Sequence, residues 1–396
     1  MGKAYTEGVS VALEWIAWLN AVTCVGWIVV TILACYRMVR LPVFVATQDG
    51  IAVVPVSVIV PACNEAATLE PALRSLLAQD HPDVQIVLVD DRSTDGTTDL
   101  VDRLAADDAR ITPIHVAELP DGWLGKVHAL HVGTAHATAD WLLFTDADIR
   151  FEPQTLRQTV SFAEAGGYDH VSLIPYVEST SFAHRILTET FGVVLVLAIP
   201  MHRVTADPRL YFGVGAFNLV RREVFERTEG FSWLRMEVAD DMGLAVLMKR
   251  HGARAFAGMA WESLRVQWYD DLGQMMRGLE KNLFATAGHL SWLRTLVIAS
   301  VIVAAVVTPA VGAFLPAPFG WPFSLAVLAG LALLAAVSWR VHGSNPLSVL
   351  CLPFGLLLLT YAMIRSALAY SRHGGAMWRG TLYPTAQLRA GHRVKL

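Results

Sequence analysis

The 396-residue chain predicts an α/β domain built on a parallel sheet and flanked by transmembrane helices. Three observations carry that prediction. The blocks "VSVIVPACNEAATL", "VQIVLVDDRSTDGT" and "WLLFTDADI" are apolar, β-rich runs that each end in acidic or small polar residues. Parallel strands buried on both faces read this way when they deliver loops to one sheet edge, where open α/β sheets bind ligands. Second, the composition is 54% hydrophobic and 17% charged, against roughly 25% charged in ordinary globular domains. Third, that apolar surplus is local: residues 50–290 carry ordinary charge density, and the two ends are nearly uncharged.

From the N-terminus, residues 15–36 form a 22-residue uncharged run, long enough to cross a bilayer at 1.5 Å per residue. A cleaved signal peptide fits poorly, because the run is too long and Tyr36-Arg37 is no small-residue cleavage site. Arg37 and Arg40 follow the span and only Lys3 precedes it, so the positive-inside rule places the N-terminus outside and the central domain in the cytoplasm.

Val56–Val60 reads as the first strand, ended by Pro61, with Asn64 and Glu65 in the following loop. Leu69, Leu73, Leu76 and Leu77 then have helical spacing. The strand Val84–Val89 ends at Asp90-Asp91, where a carboxylate can accept from a base N–H or from ribose hydroxyls. The rival reading there is capping and turn chemistry, since "STDGT" follows. In "LPDGWLGKVHAL", Gly122 and Gly125 permit tight turns and Lys126 offers a point charge to a phosphate, unless it is an ordinary solvated lysine. "TDAD" places Asp146 and Asp148 two residues apart at a strand end, a pair that can share Mg²⁺ or Mn²⁺ together with substrate phosphates.

Phe191–Met201 is apolar over 11 residues, too short to span, and reads as buried core or as a helix in the membrane interface. Asp240-Asp241 opens an amphipathic helix running through Lys249. Either carboxylate can be a dipole partner or a general base. Gln274 and Arg277 share one helix face, and Arg277 can hold a diphosphate by paired N–H bonds unless it is a plain surface residue.

Further spans are predicted at Leu296–Leu315, Trp321–Ser338 and Leu347–Ile364. Three full crossings would leave the basic tail outside, yet it carries Arg372, Arg379, Arg389, Arg393 and Lys395. One segment is therefore expected to be re-entrant: either the Pro309/Gly312/Pro316 stretch or the one broken by Pro353 and Gly355. The resulting division is an anchor and linker at 1–50, a catalytic domain at 51–290, membrane helices at 291–370 and a basic tail at 371–396. Cys24, Cys35, Cys63 and Cys351 lack zinc or CxxC spacing, so reduced thiols are expected.

Together "VPACNEA", "VDDRSTDGT", "GWLGK", "TDAD", "DD" and "QMMRG" resemble family 2 glycosyltransferases of the GT-A (Rossmann-like) fold, over about residues 56–290. Within that family the resemblance is to the membrane-bound ceramide glucosyltransferase-like and hopanoid-associated group. It implies a nucleotide-diphosphate sugar donor, a divalent metal, Mg²⁺ or Mn²⁺, and an inverting single displacement. Pro61, Glu65 and Asp91 then resemble nucleoside contacts, Gln274 and Arg277 match the first and last polar positions of the family's "QxxRW" motif, and with Asp90, Lys126 and Asp146 these are the expected nucleotide-sugar-binding residues. Asp146 and Asp148 match the metal and diphosphate pair. Asp241 matches the base of the family's "ED" pair, with Asp240 replacing the glutamate. Gly278 stands where the "QxxRW" motif has tryptophan, which argues against processive synthesis. "MWRGTLYP" resembles a "WRGRxY" tail of the lipid glycosyltransferases, with Thr381 for the second arginine.

The expected partners are a nucleotide-sugar donor, a membrane lipid acceptor and the bilayer itself. A net charge of −4 offers no basic surface for nucleic acid. A polysaccharide synthase would need more spans, and a catalytically dead scaffold would be expected to lack a motif carboxylate. A transporter would carry ionisable residues inside its spans. The leading expectation is transfer of one sugar to a lipid hydroxyl, in the inner membrane if the source is bacterial.

Overall fold

In the computed structural model, which describes residues 2–45 and 54–394, one long helix, α1 (Gly2–Val39), precedes the α/β region. That region begins β1 (Val56–Ala62), α2 (Leu69–Leu77), β2 (Val84–Asp91), α3 (Thr97–Asp107), β3 (Ile111–Val116), α4 (Gly125–His136) and β4 (Trp141–Phe144). It continues through β5 (Arg150–Phe151), α5 (Thr155–Gly166), β6 (His170–Ile174), β7 (Tyr176–Val177), α6 (Phe182–Ala198) and β8 (Asn218–Arg221). Next come α7 (Arg222–Glu226), α8 (Asp240–Arg250), β9 (Ala255–Met259), β10 (Leu264–Val266) and α9 (Leu272–Asn282). The remainder holds α10 (Trp292–Gly312), α11 (Trp321–His342), α12 (Pro346–Leu350) and α13 (Leu352–His373). A hairpin of β11 (Gly375–Trp378) and β12 (Thr381–Pro384) and a last helix, α14 (Thr385–Gly391), end the chain. The domain start expected at residue 51 and Lys395 of the tail lie outside the described residues.

These elements fall into two compact units, each assembled from separated segments. The first gathers Met1–Arg40, Ser179–Ile199 and Asp271–Leu368; the second gathers Leu41–Glu178, Pro200–Asp270 and Ala369–Leu396. The linear division at residues 290 and 370 is thus replaced in space by an interleaved one, with α6 and α9 on one side of it and the tail on the other.

The second unit is centred on a seven-stranded sheet of order β3-β2-β1-β4-β8-β6-β9. Its strands β3, β2, β1 and β4 are parallel, as expected, but β8 runs antiparallel to both β4 and β6, so the sheet is mixed. Ile59, Ile86, Leu88, Trp141, Leu142 and Leu143 are fully buried at its centre, the near-continuous apolar filling that helix-covered strands require. Ala62 pairs with Asp90 and Ile59 with Phe144, so β1, β2 and β4 all release their loops at one edge. Pro61 lies inside β1 rather than ending it. The strand tolerates it because the pairing with β4 has already stopped at Ile59.

The first unit has the reverse polarity of a water-soluble core. Val22, Val29, Ile32, Val301, Leu325 and Leu328 are exposed, while Asn20, Thr31, Ser324 and Ser338 are buried. Lipid rewards apolar exposure and demands that every backbone group find a partner inside the protein. Pro309 inside α10 cannot donate to the Ala305 carbonyl, and the Trp27 indole N–H supplies that bond instead (2.6 Å). Asn20 donates to the Phe319 carbonyl (2.8 Å), and a Cβ at Gly312 would lie 2.3 Å from the Asn20 side chain, so α1 and α10 approach closely.

Among the described residues, five helices are long and apolar enough to cross a membrane: Leu13–Val39, Phe182–Arg203, Trp292–Gly312, Trp321–His342 and Leu352–His373. The second corrects the expectation of an 11-residue apolar segment. The helix begins at Phe182 because Ser181 caps it (3.2 Å to the His184 N–H), and the polar His184, Arg185 and Glu189 are carried within it. All four cysteines are free.

Candidate active site

The loops released by β1 and β2 are laced together by side chains that compete well for backbone groups in turns. The Asn64 N–H donates to Ser93 Oγ (3.0 Å), the Thr94 N–H to Asn64 Oδ1 (2.7 Å) and the Glu65 N–H to Thr97 Oγ1 (2.9 Å). Asp90 is buried and spent on this scaffold, accepting from Thr98 Oγ1 (2.6 Å) and the Ser93 N–H (3.3 Å). Asp91 is equally buried but binds the Arg92 guanidinium through both oxygens (2.7 and 3.0 Å). Gly125 opens α4 against this pair: a Cβ there would stand 2.5 Å from Asp91 Oδ2, so the close approach requires glycine.

Lys126 follows at the first turn of α4. Its ammonium pairs with Asp146 Oδ1 (2.7 Å) and Asp240 Oδ2 (3.4 Å), joining the "TDAD" loop to the start of α8. Burial works against the charge of Lys126, but Asp146, Asp240 and Asp241 outweigh it and hold the amine protonated. Asp241 is fixed differently. Its Oδ2 accepts from the Gly215 N–H (2.9 Å) and its Oδ1 from the Met242 N–H (2.7 Å). Burial first, then the neighbouring Asp240, raises its pKa well above the carboxylate range. A carboxylate of that kind, oriented by backbone donors, is suited to take a proton.

Gly215 ties the site together. Its N–H holds Asp241, and its carbonyl accepts from the Asp146 N–H (3.1 Å). A Cβ on Gly215 would meet Asp146 Oδ2 at 2.5 Å, and one on Gly213 would meet the Asp241 carbonyl at 2.0 Å. The resulting cleft is lined by Lys126, Thr145, Asp146, Gly215, Asp240 and Asp241, with about 250 Å³ of space including its open mouth.

Asp148 is half-buried beyond Asp146. Burial first, then the nearby Asp146 and Glu65 carboxylates, pushes its pKa up, and the Lys126 ammonium offsets this only in part. Tyr269 is raised to about 12 by burial and by the same two aspartates. Among the described residues no group of three or more His, Cys, Asp or Glu side chains could hold a metal alone. Two hard oxygen ligands whose mutual repulsion favours a cation fit Mg²⁺ or Mn²⁺, which keep waters and share substrate phosphates.

Pro61, Glu65, Asp90, Asp91, Lys126, Asp146, Asp148, Asp240 and Asp241 therefore all belong to one unit. Gln274 and Arg277 belong to the other. They lie on α9 with Arg277 exposed and Met275, Met276 and Leu279 buried, and Asp271 caps the helix through the Gln274 N–H (2.7 Å). Gly213 and Gly215 were not anticipated; the signal is "GVGAFN", a Gly-x-Gly next to a short apolar strand. Glu237, Arg379 and Tyr383 were also missed as parts of the site's frame. The "MWRGTLYP" segment marks Arg379 and Tyr383 without showing what they touch, and nothing local marks Glu237, since their partners lie 314, 258 and 156 residues away.

Residues 57–228 match the pattern of glycosyl transferase family 2. The chain is 39% identical over 107 residues to an uncharacterized glycosyltransferase of Nostoc sp., covering 26% of this chain and 31% of that protein. It is 24% identical over 238 residues to the 4,4'-diaponeurosporenoate glycosyltransferase of Staphylococcus aureus, covering 59% and 61%. The matches thus span less than two thirds of these relatives' lengths. Its fold resembles that of the mannosyltransferase PcManGT from Pyrobaculum calidifontis, solved with GDP-Man and Mn²⁺. The TM-score is 0.56 at 22% identity, over 90% of this chain and 98% of that one.

Proposed function

We propose that the chain, whose residues 57–228 match glycosyl transferase family 2, transfers a single sugar from a nucleotide-diphosphate donor to the hydroxyl of a membrane lipid. The observation that carries the reading is the Gly215 bridge, which joins the base candidate Asp241 to Asp146 at one cleft.

The nucleoside lies along the Asn64–Glu65 and Asp91–Arg92 loops, and the Lys126 ammonium neutralises part of the diphosphate. Asp146 and Asp148 would hold the divalent ion, which supplies charge stabilisation to the departing nucleoside diphosphate. Asp241 takes the proton of the acceptor hydroxyl as its oxygen bonds to the anomeric carbon. The bond from that carbon to the diphosphate oxygen breaks on the opposite side, so configuration inverts. Asp240 stays paired with Lys126 and tunes Asp241 by its charge.

A lipid acceptor is supported by the apolar exterior of the first unit and by the 4,4'-diaponeurosporenoate in the name of the Staphylococcus aureus relative. Chain continuity supports one reading of the membrane topology. The segments before and after α6 belong to the same unit, as do those before α9 and after α13, so an even number of crossings separates each pair. In the first unit α1 packs against α10 and α11, whereas α6 packs on α12 and approaches Gly355 of α13 through Thr190. Arg365 of α13 pairs with Glu280 of α9. We read α1, α10 and α11 as the crossings, and α6 and α12–α13 as helices lying in the interface, which selects the Pro353/Gly355 segment as the re-entrant one. The catalytic unit and the basic tail then both face the cytoplasm.

The deciding experiment incubates purified membranes with several radiolabelled nucleotide sugars, then extracts and separates the lipids. One sugar per lipid is expected. A water-soluble polymer rejects the reading, and a ladder of sugars on one lipid rejects single transfer alone.

A further inference from the structure

The C-terminal segment makes three attachments within the second unit that no step above uses. At the tip of the β11–β12 hairpin, Arg379 (φ 49°) and Gly380 (φ 78°) both have left-handed backbone, as a two-residue I′ turn requires. Asn, Asp or Gly normally fill the first of those positions, and arginine adopts it at a conformational cost. What the side chain gains is contact with the donor loop. Its guanidinium pairs with the Glu65 carboxylate and donates to the Asn64 carbonyl oxygen (3.3 Å).

Four residues on, the buried Tyr383 presents its hydroxyl to the Gly125 N–H (3.1 Å), at the first residue of α4 and next to Lys126. The third attachment is at Glu237, whose side chain is 1% exposed. It accepts from the N–H groups of Arg393 and Val394 (3.0 Å for the latter), three residues before Asp240. One short basic segment therefore grips the loop after β1, the N-terminus of α4 and the approach to α8. Those are the loops that carry Glu65, Lys126 and Asp240-Asp241.

We propose that the hairpin Gly375–Pro384 is a positioning clasp for the nucleotide, with Arg379 setting the Glu65 loop and Tyr383 setting the start of α4. This rests on the donor site described under Proposed function. In that site Glu65 and Lys126 must be held still to bind, because ordering them on binding would cost affinity. A tether that served only stability would leave nucleotide affinity of the folded protein unchanged.

The test uses the full-length protein in lipid nanodiscs, titrated with UDP and with GDP in the presence of Mn²⁺. Arg379→Ala is expected to weaken the better-bound nucleotide at least tenfold and to raise the donor KM in parallel, with kcat within threefold of wild type. Arg379→Lys keeps the charge and should recover part of the loss. Tyr383→Phe keeps the ring but loses the hydroxyl, and is expected to weaken binding about threefold. In a Glu65→Gln background the Arg379→Ala effect should shrink, because the two act as a pair. Unchanged nucleotide affinity in both Arg379→Ala and Tyr383→Phe, with or without a lower melting temperature, overturns the clasp while leaving the donor site standing. Binding of neither nucleotide by the wild type overturns the donor reading and the clasp with it.

Discussion

Two adjacent aspartates differ in role because their neighbours differ. Asp240 has the Lys126 ammonium 3.4 Å away, whereas Asp241 is held by backbone N–H groups and carries the raised pKa. Asp241→Asn keeps volume and hydrogen bonding but cannot accept a proton. Turnover should fall roughly 10²–10⁴-fold with donor binding nearly intact. The reverse pattern, with Asp240→Asn crippling and Asp241→Asn harmless, would exchange the assignments. A base must be deprotonated to act, and burial with the neighbouring Asp240 raises the Asp241 pKa, so kcat should rise with pH on a limb above the ordinary carboxylate range. Asp240→Asn removes the like charge that holds the proton on and should move that limb to lower pH. For the Asp146–Asp148 pair, EDTA should abolish activity and added Mn²⁺ or Mg²⁺ restore it. Asp148→Ala should lose that recovery. Full activity in chelator would remove the metal from the mechanism.

At the scale of elements, the glycine loop before β8 decides whether the carboxylates meet. Gly215→Ala places a methyl group 2.5 Å from Asp146 Oδ2 and 3.1 Å from Lys126 Nζ, so the ion pair must shift. We expect kcat to fall at least tenfold, the cost of a displaced catalytic group, while the chain stays folded. Wild-type turnover in this variant would mean that the loop tolerates the added carbon. Strand β6 makes a separate prediction about stability. His170 is fully buried, bonded through Nε2 to Asn218 Oδ1 (2.9 Å), and burial depresses its pKa to about 4. The unfolded chain therefore binds this proton more readily than the folded one between pH 6.5 and about 4. Stability is full above pH 6.5 and should be lost by up to about 3 kcal/mol as pH falls through that window. Chemical denaturation at a series of pH values checks this, and His170→Gln should flatten the dependence.

At the scale of the molecule, the second unit is assembled from three stretches of chain, the last of them beginning at Ala369 near the end of α13. A reporter at the C-terminus is expected to read cytoplasmic, and one at the N-terminus external. A third, in the α10–α11 turn at the highly exposed Phe314, should also read external. An external C-terminus would mean that α13 crosses the bilayer and would break the parity argument.

What the sequence alone determined follows from short-range rules. Alternation and β-branching mark Val56–Val60, Val84–Val89 and Trp141–Phe144 as strands. Their acidic ends mark one sheet edge, and uncharged runs of bilayer length mark α1, α10 and α11. These signals are local because strand pairing and lipid burial each constrain consecutive residues. Tertiary structure alone decided which partner each carboxylate meets. Asp90 and Asp91 are identical in sequence context, yet one is consumed by Thr98 and the other by Arg92. It also decided that Gly215 joins Asp146 to Asp241, that α6 begins nine residues before its apolar core, and that Arg379 and Tyr383 reach back to Glu65 and Gly125. Hydrogen bonds and ion pairs act over about 3 Å in space whatever the separation along the chain, so their partners become visible only once the fold has brought them together.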